Sequence, residues 1–92
     1  MTLRIGLYAF DDVEVLDFAG PYEVFTTAER VHARLHPDAA PVLDTVVIAR
    51  QAGPVRTRPG LVLHSDHGFA NAPALDVLVV PGGVVEADWR GP

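Results

Sequence analysis

Three apolar runs of strand length divide the chain. They cover residues 3–10, 42–49 and 75–80. The first and third runs are apolar on both faces, as strands of a parallel sheet are when helices cover both sides of it. The second run is rich in β-branched residues, which favour strands. The pattern therefore predicts three strands of a mostly parallel sheet, and residues 75–80 give the clearest signal of a buried strand.

An amphipathic helix is predicted between the first two runs. From Pro21 onward, apolar residues recur every three or four positions, the spacing of a helix that packs one side on a sheet. Asp17 is a candidate N-cap. Pro21 is acceptable near the start because the first helical N–H groups have no partners inside the helix. The positions expected to face the sheet are Val24, Phe25, Ala28, Val31 and Leu35.

The middle of the chain predicts a β-hairpin. Residues 55–57 and 61–63 are short strand-like runs on either side of the turn signal Pro59-Gly60. Residues 65–74 are small and polar, typical of a loop with a helical turn. Three long strands, one helix and one hairpin amount to about half of a doubly wound α/β sheet. We expect either pairing with a second copy or a longer parent protein, because a bare strand edge invites association.

Composition narrows the function classes. A chain of 92 residues is one domain at most, and its apolar fraction of 49% suits a packed core. The formal charge of −5 argues against direct binding of nucleic acid, which needs a basic face. The seven Lys and Arg residues are all Arg. This excludes a Schiff-base lysine and a P-loop.

The chain contains no cysteine, which rules out disulfides and cysteine-based metal sites. The N-terminus shows no basic start followed by a long apolar run, and no stretch approaches 18 consecutive apolar residues. The sequence therefore predicts a cytoplasmic protein without a membrane partner.

Two motif blocks carry a family resemblance. Residues 16–25, Leu-Asp-Phe-Ala-Gly-Pro-Tyr-Glu-Val-Phe, and residues 69–83, which end in Pro-Gly-Gly, stand in the order found in the ThiJ/PfpI superfamily. The chain most resembles its isonitrile hydratase branch and the sensor domains of AraC-type regulators. The superfamily also includes the parkinsonism-associated deglycase. The resemblance covers most of the chain up to Gly83 but not residues 84–92.

The resemblance implies a flavodoxin-like α/β fold with flanking helices, as in class I glutamine amidotransferases. It also implies that residues 1–92 form the N-terminal half of a single domain, and that the half carrying the nucleophile elbow is absent. In the isonitrile hydratases the Asp that corresponds to Asp17 is the acid/base partner of a catalytic Cys. On position alone, an N-cap role for Asp17 is an equal alternative.

Gly82 and Gly83 correspond to the family turn that supplies backbone N–H groups to an oxyanion hole. On position alone they are simply flexible residues after a strand. The family's nucleophilic Cys has no counterpart in this sequence, and Ser65, the only Ser, lies outside both motif blocks. We therefore expect this chain to be inactive on its own.

The other candidate groups have simpler interpretations. The pairs His32/His36 and His64/His67 match no metal motif and are predicted to be surface residues, so no metal or other cofactor is expected. The acidic residues Asp11, Asp12 and Glu14 are interpreted as a solvated loop, and Trp89 and Arg90 as chain end.

Three hypotheses follow. The first is the N-terminal part of an isonitrile hydratase-like or amidase-like enzyme. By resemblance, Cys would attack the isonitrile carbon, Asp17 would shuttle a proton, and water would release an N-substituted formamide. The second is the ligand-sensing domain of an AraC-type regulator, and the third is a non-catalytic oligomeric module. We expect a homodimer. The first two hypotheses also predict a small-molecule substrate or ligand.

Overall fold

The computed structural model describes residues 1–83. It contains one long helix, six strands and a single 3₁₀ turn at Phe69–Asn71. The elements in chain order are β1 (Leu3–Tyr8), α1 (Val15–Leu35), β2 (Leu43–Ala49), β3 (Gly53–Arg56), β4 (Val62–Ser65), β5 (His67–Gly68) and β6 (Val77–Val79).

Four strands form one parallel sheet in the order β5-β2-β1-β6. The strands β3 and β4 pair separately as an antiparallel hairpin. The predicted α/β class, the parallel sheet and the hairpin are thus confirmed. The strand β5 was not predicted, because two residues, one of them Gly, carry no detectable strand pattern.

The prediction of a strand within residues 75–80 is confirmed, but the expectation that this strand is buried is wrong. The side chains of Val77, Leu78 and Val80 are 43%, 55% and 59% exposed. The strand β6 lies at the edge of the sheet, and within residues 1–83 no strand pairs with its outer side. Apolar sequence alone could not distinguish a central strand from an edge strand.

Helix α1 begins earlier than predicted. Its N-cap is Glu14, which makes no side-chain capping bond, so Pro21 lies well inside the helix. Asp17 is in the first turn and does not cap it, which corrects the N-cap interpretation. Pro21 lacks an N–H and therefore costs the helix one backbone hydrogen bond.

The helix packs through only part of the predicted set: Phe25 faces the core as predicted, but most of the other positions do not. Phe18 is its buried residue, and Phe25, two turns later on the same side, is half-buried. Val24, Val31 and Leu35 lie about a third of a turn around the helix and are exposed. A second apolar stripe therefore faces away from the core. The core cluster comprises Leu7, Ala9, Phe10, Val13, Phe18, Ala49 and Val55.

The start of β2 is tied to α1 by Glu29. One carboxylate oxygen of Glu29 accepts hydrogen bonds from the backbone N–H groups of Val42 (2.8 Å) and Leu43 (2.9 Å). The bond from Leu43, with help from Val42 and the nearby His32, holds the pKa of Glu29 below its ordinary value, although burial opposes this.

A pH dependence of stability follows from this lowered pKa. The ionised Glu29 carboxylate stabilises the folded state. Its contribution is complete above the ordinary carboxyl pKa and is lost as the pH falls through the lowered pKa of the folded state. We expect Glu29→Gln to be less stable than the native chain at neutral pH, with a difference that shrinks in acid. Urea unfolding across pH measures this. Glu23→Gln is the control, because in the described part of the chain the Glu23 carboxylate bonds only to side chains of its own helix, in exposed contacts. A difference independent of pH would contradict the prediction.

Within residues 1–83, no helix is long and apolar enough to cross a membrane.

Candidate functional site

The loop between β1 and α1 meets the loop after β6. The backbone N–H of Glu14 donates to the carbonyl oxygen of Gly82 at 3.0 Å. Next to this bond, Val13 and Gly83 form an antiparallel bridge. The segment just before the first motif block is thereby joined through backbone contacts to the end of the second block, at the carboxyl ends of neighbouring strands.

Asp17 stands directly beside Gly82. A Cβ atom added to Gly82 would lie 2.9 Å from the Oδ2 atom of Asp17. Only glycine at position 82 allows the Asp17 carboxylate to keep its present position. The carboxylate is exposed and accepts no hydrogen bond from residues 1–83, so it remains available to a reacting group. Such a group suits proton transfer.

The site lies at the topological switch point of the sheet. From β1 the chain crosses first to β2 on one side and later to β6 on the other. In open α/β sheets, ligands bind in the crevice outside the carboxyl ends of the strands where the order reverses. Asp17, Gly82 and Gly83, the three residues predicted for the site, meet beside this crevice.

Gly83 has a backbone conformation that side chains rarely adopt. Its φ angle is +156°, and an added Cβ would lie 2.8 Å from the Asp12 carbonyl oxygen and 2.8 Å from the Val13 Cα. Among residues 1–83, no acceptor takes a hydrogen bond from the backbone N–H of Gly82 or Gly83. Unpaired N–H donors next to a carboxylate are the kind of group that stabilises a developing oxyanion.

The β1–α1 loop is also held from its other side by the hairpin. Asp12 donates its N–H to the Arg56 carbonyl oxygen at 2.9 Å, and Asp11 Oδ1 accepts from the Arg56 N–H at 3.2 Å. Glu14 pairs with Arg58. The interpretation of this acidic stretch as merely a solvated loop is therefore wrong. For the Glu14 contact the available signal was charge, since Arg58 lies in the hairpin turn; the Arg56 contacts use its backbone and left no such signal.

A cavity of about 340 Å³ lies near the site but does not include it. It opens between the carboxyl ends of β1 and β2 and the hairpin, and Phe10, Arg50 and Val55 are among its lining residues. Phe10 forms the boundary, because its Cε2 atom would be 3.0 Å from a Cβ added to Gly83. No sequence motif indicated this cavity.

The remaining candidates have structural roles or none. Ser65 is fully buried, and its hydroxyl lies 3.1 Å from the Val47 carbonyl oxygen and 2.9 Å from that of His67, so it is not an available nucleophile. Within the described part of the chain, no three His, Cys, Asp or Glu side chains converge to hold a metal ion. Trp89 and Arg90 lie outside the described residues.

Sequence comparison gives two curated relatives. Isonitrile hydratase from Pseudomonas putida is 34% identical over 83 residues, which is 90% of this chain and 31% of that protein. An uncharacterised protein of the cpoL 5′ region of Streptomyces lividans is 32% identical over 80 residues, 87% of this chain and 51% of that protein. The chain thus spans about a third to a half of the relatives' length. No protein-family model matches the sequence.

Solved structures share the fold. A DJ-1 mutant from Schizosaccharomyces pombe superposes with a TM-score of 0.69 at 14% identity, covering 90% of this chain and 42% of that one. A ThiJ/PfpI domain protein from Brachyspira murdochii superposes with a TM-score of 0.66 at 16% identity, covering 98% of this chain and 49% of that one. An AraC family transcriptional regulator from Pseudomonas putida superposes with a TM-score of 0.65 at 23% identity, covering 89% of this chain and 48% of that one. At these identities the likeness concerns the fold.

Proposed function

Because the chain belongs to the DJ-1/ThiJ/PfpI superfamily, we propose that it supplies the acid/base and oxyanion-stabilising part of an isonitrile hydratase-like site. The observation that carries the proposal is the position of the Asp17 carboxylate against Gly82 at the switch point. The 34% identity to isonitrile hydratase supports the substrate class.

The proposed reaction adds water to an isonitrile and gives an N-substituted formamide. A cysteine thiolate bonds to the isonitrile carbon, and Asp17 delivers a proton to that carbon, which gives a thioimidate. Asp17 then accepts a proton from the attacking water. The N–H groups of Gly82 and Gly83 stabilise the oxygen as the C–S bond breaks, and nitrogen takes up the remaining proton. The sequence holds no cysteine, so residues 1–92 alone do not catalyse this reaction.

Two alternatives have some support. The AraC-type regulator with the same fold favours a ligand-sensing domain that binds a small molecule without turnover. The exposed side chains of Val24, Leu35, Leu78 and Val80 favour self-association, as a homodimer or as a non-catalytic oligomeric module. Light scattering on the full chain measures the association state, and a monomer would remove the oligomeric alternative. The cytoplasmic location stays a prediction.

A chimeric enzyme tests the proposal. Residues 3–83 of this chain replace the matching segment of the Pseudomonas putida isonitrile hydratase, which provides the cysteine. We expect the chimera to convert cyclohexyl isonitrile into the corresponding formamide. NMR measures the formation of this product. The near-UV circular dichroism spectrum identifies chimeras that have folded. A folded chimera that binds the isonitrile but forms no formamide would favour the sensor hypothesis instead.

A further inference from the structure

The hairpin formed by β3 and β4 contributes a residue that controls the geometry of the proposed site. We propose that Arg58, in the connection between the two strands, is a positioning residue that sets where Asp17 stands against Gly82. This inference rests on the proposed function for its catalytic meaning. It concerns a part of the chain that belongs to neither motif block.

Arg58 holds two consecutive residues of the β1–α1 loop. Its backbone N–H donates to the carbonyl oxygen of Val13 at 2.9 Å. Its guanidinium Nη1 donates to Oε1 of Glu14 at 2.8 Å. Glu14 is the N-cap of α1, but its side chain makes no capping bond to the helix. The carboxylate of Glu14 is therefore directed to the hairpin rather than to its own helix.

Glu14 connects this contact to the site. Its backbone N–H donates to the carbonyl oxygen of Gly82, so the residue is held by Arg58 on one side and by Gly82 on the other. Asp17 follows three residues later in the first turn, with its Oδ2 beside Gly82. A shift of Glu14 moves the first turn of the helix and with it the Asp17 carboxylate.

The expected effect is on geometry rather than on stability. The Arg58 and Glu14 side chains are 60% and 42% exposed, and an ion pair this exposed contributes little to folding. A displacement of about 1 Å at a catalytic group, by contrast, can lower a rate about 100-fold. Removing the guanidinium should therefore disturb Asp17 while leaving the fold intact.

The test compares three variants of the full 92-residue chain by NMR. In Arg58→Met we expect the nuclear Overhauser effect between the Asp17 Hβ and Gly82 Hα protons to fall at least about 2-fold, with shifted Gly82 and Gly83 amide resonances and an unchanged melting temperature. Arg58→Lys should restore both signals, because an ammonium group can pair with Glu14. Arg56→Met is the matched control, since among residues 1–83 the Arg56 guanidinium donates a hydrogen bond only to the Gly60 carbonyl oxygen, in the same hairpin.

An unchanged Overhauser effect in Arg58→Met, or an equal loss in Arg56→Met, would overturn the inference. In the chimera, Arg58→Met should lower kcat about 10-fold with little change in KM. A folded chimera without any activity would count against the proposed function alone, because the NMR comparison does not depend on turnover.

Discussion

Replacing Gly83 with alanine is expected to destabilise the fold by roughly 3 kcal/mol. The φ angle of +156° is unfavourable for any residue with a Cβ. In addition, the new methyl group would lie 2.8 Å from the Asp12 carbonyl oxygen and 2.8 Å from the Val13 Cα. Both are backbone atoms, so relief requires the β1–α1 loop to separate from the loop after β6. Urea unfolding of the Gly83→Ala chain measures the loss.

Gly82→Ala is the matched control for this prediction. Gly82 has no positive φ angle, and within residues 1–83 the only atom close to an added Cβ is Oδ2 of Asp17, at 2.9 Å. A short side chain can rotate away, so we expect a stability change within about 0.5 kcal/mol. The Asp17 carboxylate, however, should be displaced from its site. Equal destabilisation by the two substitutions would contradict this description of the turn.

Replacing Asp17 with asparagine in the chimera is expected to lower kcat about 100- to 10,000-fold. Asparagine has nearly the same shape but cannot exchange a proton. Because Asp17 is exposed and does not cap α1, the change should leave the stability within about 0.5 kcal/mol. The measurement is formamide production at saturating isonitrile, alongside thermal unfolding.

Asp12→Asn is the control for Asp17→Asn. Asp12 lies on the β1–α1 loop, just before the helix that carries Asp17, and its φ angle of 70° is one that asparagine also adopts. We expect this variant to keep the activity of the chimera. Similar losses for both substitutions would point to a general effect of charge on the loop, and the assignment of Asp17 as the acid/base group would be wrong.

The parallel sheet could be predicted because its longer strands are visible as apolar runs in the local sequence. The apolar runs at residues 3–10 and 42–49 are long enough to indicate strands, and the structure confirms a strand in each. The exposure of β6 could not be predicted in the same way. Whether Leu78 is covered depends on what lies beside and above the strand, and its own sequence does not encode this.

The start of α1 was missed because two local signals both indicated a later start. Asp17 and Pro21 are both typical of a helix N-terminus, whereas the actual N-cap is Glu14, an unusual residue there. The buried side was predicted only in part, for a related reason. Two pairs of apolar residues satisfy helical spacing, Phe18 with Phe25 and Val24 with Val31. Only packing on the sheet selects the first pair.

The candidate site was predicted in part. The motif resemblance indicated Asp17, Gly82 and Gly83, and the pairing of β1 with β6 accounts for their proximity. The contribution of the hairpin could not be predicted from a motif. The contact between Glu14 and Arg58 joins residues distant in sequence, and it exists only once the hairpin has packed against the loop.

The most direct test of the central claim is the rate of formamide formation by the folded chimera that carries residues 3–83. If these residues supply the acid/base and oxyanion-stabilising groups, the chimera releases the N-substituted formamide, and the rate depends on Asp17. If a folded chimera releases no formamide, or if its rate is the same with Asp17→Asn, the proposed function is contradicted.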